Sequence, residues 1–536
     1  MADATQPTPT TYDLVPYPRM AFAHTHPSHL AALAVLLGMT PARRHCRVLE
    51  IGCASGSNLI PMALEMPESE FVGVDASLRQ VAEGQADIAA LGLRNLTLLP
   101  MDLAEIDASF GLFDYIIVHG VFSWVPAPLR DKILTICKQN LAPAGLAYIS
   151  YNVYPGWHNR IGLREMLLFH TRHISDPAAK AREALDFLRF MTDALPEKES
   201  VHGAVLHAHY ALLREGVSDE RASLEPYLLH EYLAEENTPL YFHQFAGMAT
   251  AHGLQYLCDA DFWSDSPARF APAVVQKLRE VVHTQTDLHQ YMDFLRDRAF
   301  RRTVLCHADV TLDRRLTGDR LFSLYVASGA VPETEDFDIA AKSPVRFASR
   351  NGNAILTIDH PLSKAALRCL QQSWPRRLAF DELVVQAQAL LQAQAPRPIA
   401  GAVAESDREL LGVNLLRAFV HSPQLAEIAA LPSAFAAAGD YPLATAWVRR
   451  QAQSSARITT LRHESAELKP AEHFLLHLLD GTRNRAALLA ALQDAISSGE
   501  VALPAQDATS APRVTATAAD LDELLSNLAF YALLVD

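Results

Sequence analysis

The stretch VLEIGCASGSNLIPMA, Val48 to Ala63, sets a short apolar run against a turn of small residues and then a helical pattern. A run that short, ended by Gly52, reads as a buried strand, and the turn from Gly52 to Gly56 lets bare backbone approach a ligand. Outward from it, strand-like runs recur at 47–52, 70–75, 95–101, 113–119 and 145–151, with helical patterns between them at 57–66, 77–91 and 128–140. This alternation predicts an α/β fold, a doubly wound parallel sheet whose ligand sits at the carboxyl ends of the strands.

From about 159 to 237 the pattern is helical, with stops at Pro177, Pro196 and Pro226. Two later strand-like runs, 254–258 and FRRTVLCHA from Phe300, are expected to complete the same sheet, which makes 159–237 a helical insertion. An independent middle domain is the competing arrangement. Beyond 308 an Asn-Gly within VRFASRNGNAILTIDH marks a hairpin. Helical patterns follow at 362–373, 379–394, 406–420, 472–495 and 519–533, and QDAISSGEVALPAQDATSAPRVTATAAD reads as a loop. The expected organisation is an N-terminal segment (1–40), a sheet domain with insertion (41–308) and a mainly helical, α+β C-terminal region (309–536) with winged-helix-like units.

A chain of 536 residues is too long for one core and suggests about three units. Its 61 acidic residues exceed its 46 basic ones, a net charge of −15 that opposes a nucleic-acid partner. Six cysteines without a C-x-x-C indicate neither a disulfide framework nor a cysteine zinc site, and a reducing, cytoplasmic compartment fits. No secretory leader or apolar run of about 20 residues is present, so no membrane partner is expected.

Spacing gives the turn its chemistry. Asp75 closes the next strand twenty-three positions after Gly52, where a carboxylate can accept hydrogen bonds from two ribose hydroxyls, and Asp102 ends the third strand within reach of an adenine amino group. Together these describe a nucleoside site. Dinucleotide sites favour G-x-G-x-x-G, whereas this turn runs Gly52-x-Ala54-x-Gly56 with Glu50 before it, a negative charge that suits a cationic ligand better than a pyrophosphate. S-adenosylmethionine fits on charge.

These residues carry a resemblance. RVLEIGCASGSNLIPMA, FVGVDAS and FDYIIVHGVFSWVP resemble the signature of class I S-adenosylmethionine-dependent methyltransferases, specifically the bacterial subgroup with a methyltransferase regulatory domain. YDLVPYPRMAFAHTHP, YISYNVYPGWH, LLHEYLAEENTPLYFHQFAGMATAHGLQYL and DFLRDRAFRRTVLCH are similar to that subgroup's pattern, over roughly residues 10 to 308. The subgroup includes rickettsial enzymes that methylate lysines of outer-membrane proteins. The resemblance implies a Rossmann-like methyltransferase sheet, with the insertion at about 159–237 as its regulatory region, and a cofactor held by Glu50, Gly52, Cys53, Ala54, Gly56, Asn58, Asp75, Asp102, Leu103, His119 and Gly120. Tyr12 and Tyr17 belong, on the same ground, to a segment folding over the cofactor, with a plain aromatic anchor as the alternative.

In-line attack on a sulfonium methyl is helped mainly by alignment, which supplies up to about 7–11 kcal/mol. A lysine acceptor must also lose a proton, at a cost of about 4–5 kcal/mol at pH 7, and a desolvated aromatic pocket lowers that cost. FSWVP and SYNVYPGWH set Phe122, Trp124, Tyr154 and Trp157 at strand ends as pocket walls, with Tyr151 and Asn152 to orient the nucleophile. Core packing is the alternative for the tryptophans. Glu231 in LLHEYLAEEN is the best candidate for a general base, against a reading as helix surface. The trio His24, His26 and His29 lacks a carboxylate or cysteine at ligand spacing, so no metal is expected. The leading expectation is a methyltransferase acting on a protein lysine, with homodimerisation among the roles for the long tail. A small-molecule acceptor and a non-catalytic S-adenosylmethionine-binding regulator are the alternatives.

Overall fold

The computed structural model describes residues 11–15, 19–216, 224–394, 403–433, 435, 437–455, 457–503 and 515–535. Seven strands form one sheet: β1 (Arg47–Ile51), β2 (Glu70–Asp75), β3 (Leu96–Pro100), β4 (Phe113–Val118), β5 (Leu141–Asn152), β6 (Leu254–Asp259) and β7 (Phe300–His307). Their order is β3-β2-β1-β4-β5-β7-β6, with β1 to β5 parallel and β7 antiparallel to both its neighbours. The strand order reverses between β1 and β4, the crevice where ligands of open α/β sheets bind. The two late strands complete the sheet, so the helices Gly156–His170, Pro177–Ala194, Val201–Gly216 and Glu225–Glu231 are inserted between β5 and β6. They bury their apolar stripes on one another in a core of their own.

The motif DFLRDRAFRR explains how the antiparallel edge holds. Arg301 on β7 is fully buried and bonds Asp259 of β6 at 2.9 Å and both oxygens of Asp293 at 2.8 Å, while Arg298 reaches Asp259 at 2.6 Å. Two guanidiniums face two carboxylates here, the condition under which burying ions is tolerable.

One face of the sheet, with Val48, Tyr115, Ile117 and Tyr148, shares a core with the helix Pro27–Leu36 and with residues from Leu321 to Trp447. That helix is apolar all round and buried on every face but one position, as such a sequence requires. Residues Ala444 to Leu534 form a separate core. The region after 308 is therefore two structures: a part continuous with the sheet's core and a C-terminal unit with its own. Within it, the expected hairpin forms between Val345–Ala348 and Ile355–Ile358, with Gly352 in the left-handed region. The single helical pattern expected at 472–495 is two helices, Pro470–Leu478 and Arg485–Ser497. The chain breaks at Gly481 (φ +78°), and Asn484 caps the second helix through the Ala487 N–H. Of the loop expected from 493 to 520, the first residues continue the helix to Ser497, the last begin the helix Ala518–Phe530, and 504–514 lie outside the described residues.

Gly84 lies inside the helix Leu78–Leu91, where alanine would be preferred by about 1 kcal/mol. A Cβ there would sit 2.4 Å from the Ser55 carbonyl oxygen and 2.5 Å from Leu98, so the glycine sets the approach of this helix to the β1 turn. Gly84→Ala is expected to lower stability by about 1–3 kcal/mol despite its better propensity. A urea melt showing equal or greater stability would refute this.

Candidate active site

The β1 turn takes the left-handed conformation three times in five residues, with φ +77° at Gly52, +49° at Ala54 and +69° at Gly56. At Ala54 this costs about 1–2 kcal/mol. Hydrogen bonds from β2 hold the turn: Gly52 and Cys53 donate to Val74, Ala54 N donates to Asp75 Oδ2 at 2.8 Å, and Ser77 N donates to Asp75 Oδ1 at 2.9 Å. Each Asp75 oxygen thus uses one lone pair, leaving acceptor capacity for further donors. Burial, opposed by these bonds, raises its pKa. The Cys53 thiol is buried, against the Cα of Gly73, so Cys53 can offer a ligand only its backbone.

Glu50 is 3 % exposed. Its Oε1 accepts from Asn58 Nδ2 at 2.8 Å, and its Oε2 is buried without a partner. Burial pushes its pKa up to about 8, and the Asp75 charge adds to the rise. Among the described residues such an oxygen has neither a donor nor a cation to meet it. Asp102 stands exposed at the end of β3, where it accepts from Ala104 N at 2.9 Å, and Leu103 packs into the apolar layer beside it. After β4, Gly120 N donates to Ser150 Oγ at 2.8 Å, and the His119 ring lies 3.9 Å from that of Phe22 with Nδ1 2.9 Å from Tyr148 Oη. Burial, aided by Arg302, lowers the His119 pKa to about 3, so the ring is neutral.

The N-terminal segment crosses this crevice. Asp13 accepts from Ser77 Oγ, His230 of the insertion lies 2.7 Å from Val15 O, and Phe22 N donates to Asn58 Oδ1 at 2.9 Å. Arg19 donates to Ser55 Oγ at 2.9 Å and to Asp87 at 2.7 Å, and Arg450 of the C-terminal unit takes the other Asp87 oxygen at 2.7 Å. Tyr17 and the side chain of Tyr12 lie outside the described residues. Ser55, Asp87, Arg19 and Arg450 have no motif among them; only the fold connects them.

The acceptor side departs from the expectation in two residues. Tyr151 is buried, its ring stacked 4.0 Å from Phe245 and its hydroxyl 3.1 Å from Thr303, and Phe122 packs edge-on against the same rings. Both belong to the apolar layer under the helix Phe242–Ala251, so neither orients a nucleophile nor walls a pocket. Tyr154 stacks on His158 and meets Tyr241, apart from the tryptophans. Trp124 and Trp157 do meet, edge to face at 6.4 Å, with Tyr232 at 6.0 Å and the Arg160 guanidinium at 5.7 Å from Trp157. Burial raises the Glu231 pKa to about 7, against the pull of this same Arg160. Asn152 Nδ2 donates to Asn237 Oδ1 at 3.0 Å, and Asn152 N donates to Ser123 Oγ, tying the end of β5 to the chain leaving the insertion. The three histidines of HTHPSH diverge: His24 toward His119 and Tyr148, His26 toward Glu65, and His29 to the Ala260 carbonyl.

Three families match the chain: "Methyltransferase domain" over residues 48–145, "Predicted methyltransferase regulatory domain" over 225–307, and "PKMT, C-terminal winged helix domain" over 440–533. The uncharacterised protein RP789 of Rickettsia prowazekii is 33 % identical over 502 residues, 92 % of this chain and 87 % of that protein. The chain belongs to this family of methyltransferases. The structure of PKMT2 from Rickettsia typhi in complex with AdoHcy superposes with a TM-score of 0.82 at 27 % identity, covering 97 % of this chain and all of that one. A second Rickettsia prowazekii protein, RP028, is 37 % identical over 236 residues, 44 % of this chain and 92 % of its own length. The methyltransferase is an S-adenosylmethionine-dependent enzyme of the Rossmann-like class. Its regulatory-domain match begins at the last inserted helix and runs through β6 and β7, so that unit is built into the catalytic sheet and is not the 159–237 segment.

Two outcomes follow. Glu50 has its folded pKa raised from about 4.5 to about 8, so it costs the ligand-free methyltransferase stability as pH climbs through that window. Glu50→Gln should flatten the fall of Tm between these values and weaken S-adenosylhomocysteine binding; an unchanged Tm profile refutes the assignment. Arg450→Gln should weaken S-adenosylhomocysteine about three- to tenfold through Asp87 and Arg19, with Arg450→Lys restoring part of it. Calorimetry giving equal affinities would reduce Asp87 to an anchor.

Proposed function

We propose that the enzyme methylates the side-chain amine of a lysine on a protein. The observation that carries this reading is Glu231, a carboxyl group next to Tyr232 in the chain whose pKa burial raises to about 7, against the pull of Arg160, the guanidinium that lies over Trp157. The likeness to a PKMT winged helix and to PKMT2 of Rickettsia typhi supports it.

On this reading Gly52, Ala54 and Gly56 hold the methionine portion through their backbone, Glu50 faces its ammonium, Asp75 accepts from the ribose and Asp102 from the adenine amino group. The backbone of His119 and Gly120 lines the methyl donor. When bound, S-adenosylmethionine supplies an electrophilic methyl group on a sulfonium. Trp124 and Trp157 wall the amine channel and exclude water, which disfavours the ammonium form of the lysine. Their faces favour the cation on entry, so it is held before it is deprotonated. Glu231 takes the proton from the ammonium nitrogen, and a carboxyl group titrating near 7 is suited to that work at neutral pH. Asn152, fixed by Asn237 and Ser123, positions the amine.

Turnover should therefore rise with pH through about 7, as Glu231 loses its own proton. Glu231→Gln should remove that limb and slow turnover by about 100-fold or more while sparing S-adenosylhomocysteine affinity. A retained limb would take the base role from Glu231. The acceptor is tested with methyl-labelled S-adenosylmethionine and a host-cell extract: label in acid-precipitated protein, released as methyl-lysine on hydrolysis, is expected. Label confined to small molecules would replace the lysine reading with a metabolite acceptor.

A further inference from the structure

A cavity of about 560 Å3 lies where the N-terminal segment, the end of the helix Leu59–Glu65, the loop after β6, the region around Trp374 and the C-terminal unit meet. It falls within the range of about 300–1,000 Å3 usual for small-molecule sites. It is not the cofactor crevice: none of Glu50, Asp75 or Asp102 lines it.

Its walls hold several polar atoms that make no hydrogen bond. Eighteen buried side-chain nitrogen and oxygen atoms lack a hydrogen-bond partner among the described residues, and eight of them belong to residues lining this cavity. They include three that are donors in any state, Trp374 Nε1, Arg377 Nε and Arg462 Nη1. Orphaned buried donors are rare in folded proteins, and such a concentration calls for a missing partner.

Charge says what kind. The cavity's carboxylates each already have a basic side chain in contact: Glu427 and Glu464 share Arg462, Asp261 meets Arg302, and Glu65 meets His26 at 3.2 Å and His463 at 3.7 Å. Among the described residues, Arg350 and Arg377 have no carboxylate within ion-pair distance, although Arg377 lies near enough to help lower the Glu65 pKa. They rest on rings instead, Arg350 4.5 Å from Phe530 and 5.8 Å from Trp374, and Arg377 6.0 Å from Phe435. His463 is held at φ +57°, a strained conformation of the kind that collects at ligand sites.

The trio His26, Glu65 and His463 has its ligand atoms within 4.8 Å of one another, close enough for a metal ion. The tautomer opposes that use. His26 Nδ1 accepts from Ser28 N at 3.0 Å, which puts the ring proton on Nε2, the atom facing Glu65. A cation there would require His26 to lose its last proton.

We propose that this cavity binds a small molecule bearing an oxyanion, a carboxylate or a phosphate, received by Arg377, Arg462 and Trp374 Nε1. The site joins the C-terminal unit to the sheet's core, and it is independent of which acceptor the enzyme methylates.

Calorimetry of the full-length protein, titrated separately with inorganic phosphate and with succinate, tests this. At least one is expected to bind, and which one does identifies the source of the oxyanion. Arg377→Gln should weaken that binding about tenfold or more, the loss expected for a hydrogen bond to a charged group. Trp374→Phe keeps the ring, removes the N–H and should weaken it as well, and it decides the matter if Arg377→Gln does not fold. S-adenosylhomocysteine affinity should be unchanged in both variants. The proposal is overturned if neither anion binds, if both variants bind as the parent does, if S-adenosylhomocysteine competes with the anion, or if Zn2+ binds where the anions do not.

Discussion

The Asp75 carboxylate is the constraint on which the cofactor crevice depends. By accepting from Ala54 and Ser77 it ties the turn after β1 to the start of the helix after β2, and the three left-handed residues of that turn persist because this anchor over-determines them. Gly84 then lets the same helix press against Ser55 from behind, so the turn is fixed on two sides. A rigid backbone at this point matters more than any reactive side chain, because methyl transfer is accelerated chiefly by alignment.

From the turn, fixed contacts run outward to both additions to the sheet. Val15 reaches the insertion through His230, and Arg19 and Arg450 share the two oxygens of Asp87, so the N-terminal segment is held by the insertion and by the C-terminal unit together. These contacts give the long tail a physical connection to the turn after β1. Coupling of this kind needs no displacement at the site, only a difference in how firmly the covering segment is held.

The sheet was legible because its strands and helices alternate locally, and the places of the turn and of the strand-end acids followed from the strand boundaries. What failed in the sequence reading was orientation. Tyr151 stands at the end of β5, but it shares a face with Ala147 and Ile149, which pack in the layer that includes Phe245, while Tyr148 faces the other core. The period of two along the strand contains that information, and adjacency to the site alone does not. Phe122 was misread for a similar reason, since proximity to a strand end does not say whether a ring turns inward. Contacts such as Arg450 with Asp87, or His463 with Glu65, join residues hundreds of positions apart and leave no local pattern. The regulatory-domain boundary escaped because a helical stretch looks the same whether or not the strands that follow belong to its unit.

Glu50 and Glu231 show how one physical effect serves two ends. Burial raises both carboxyl groups, to about 8 and about 7, because neither has a full cationic partner in the protein alone; Glu50 has Asn58, and Glu231 has Arg160 at one side. An acid in that condition gains most from a ligand that brings a positive charge. On the proposed reading the cofactor's ammonium completes Glu50 and stays, whereas the lysine ammonium meets Glu231 and gives up its proton. The difference lies in the partner's next step. A bound methionine ammonium keeps its charge through the reaction, while the lysine nitrogen must lose its charge before it can attack. The same desolvation therefore favours binding at one carboxylate and proton transfer at the other.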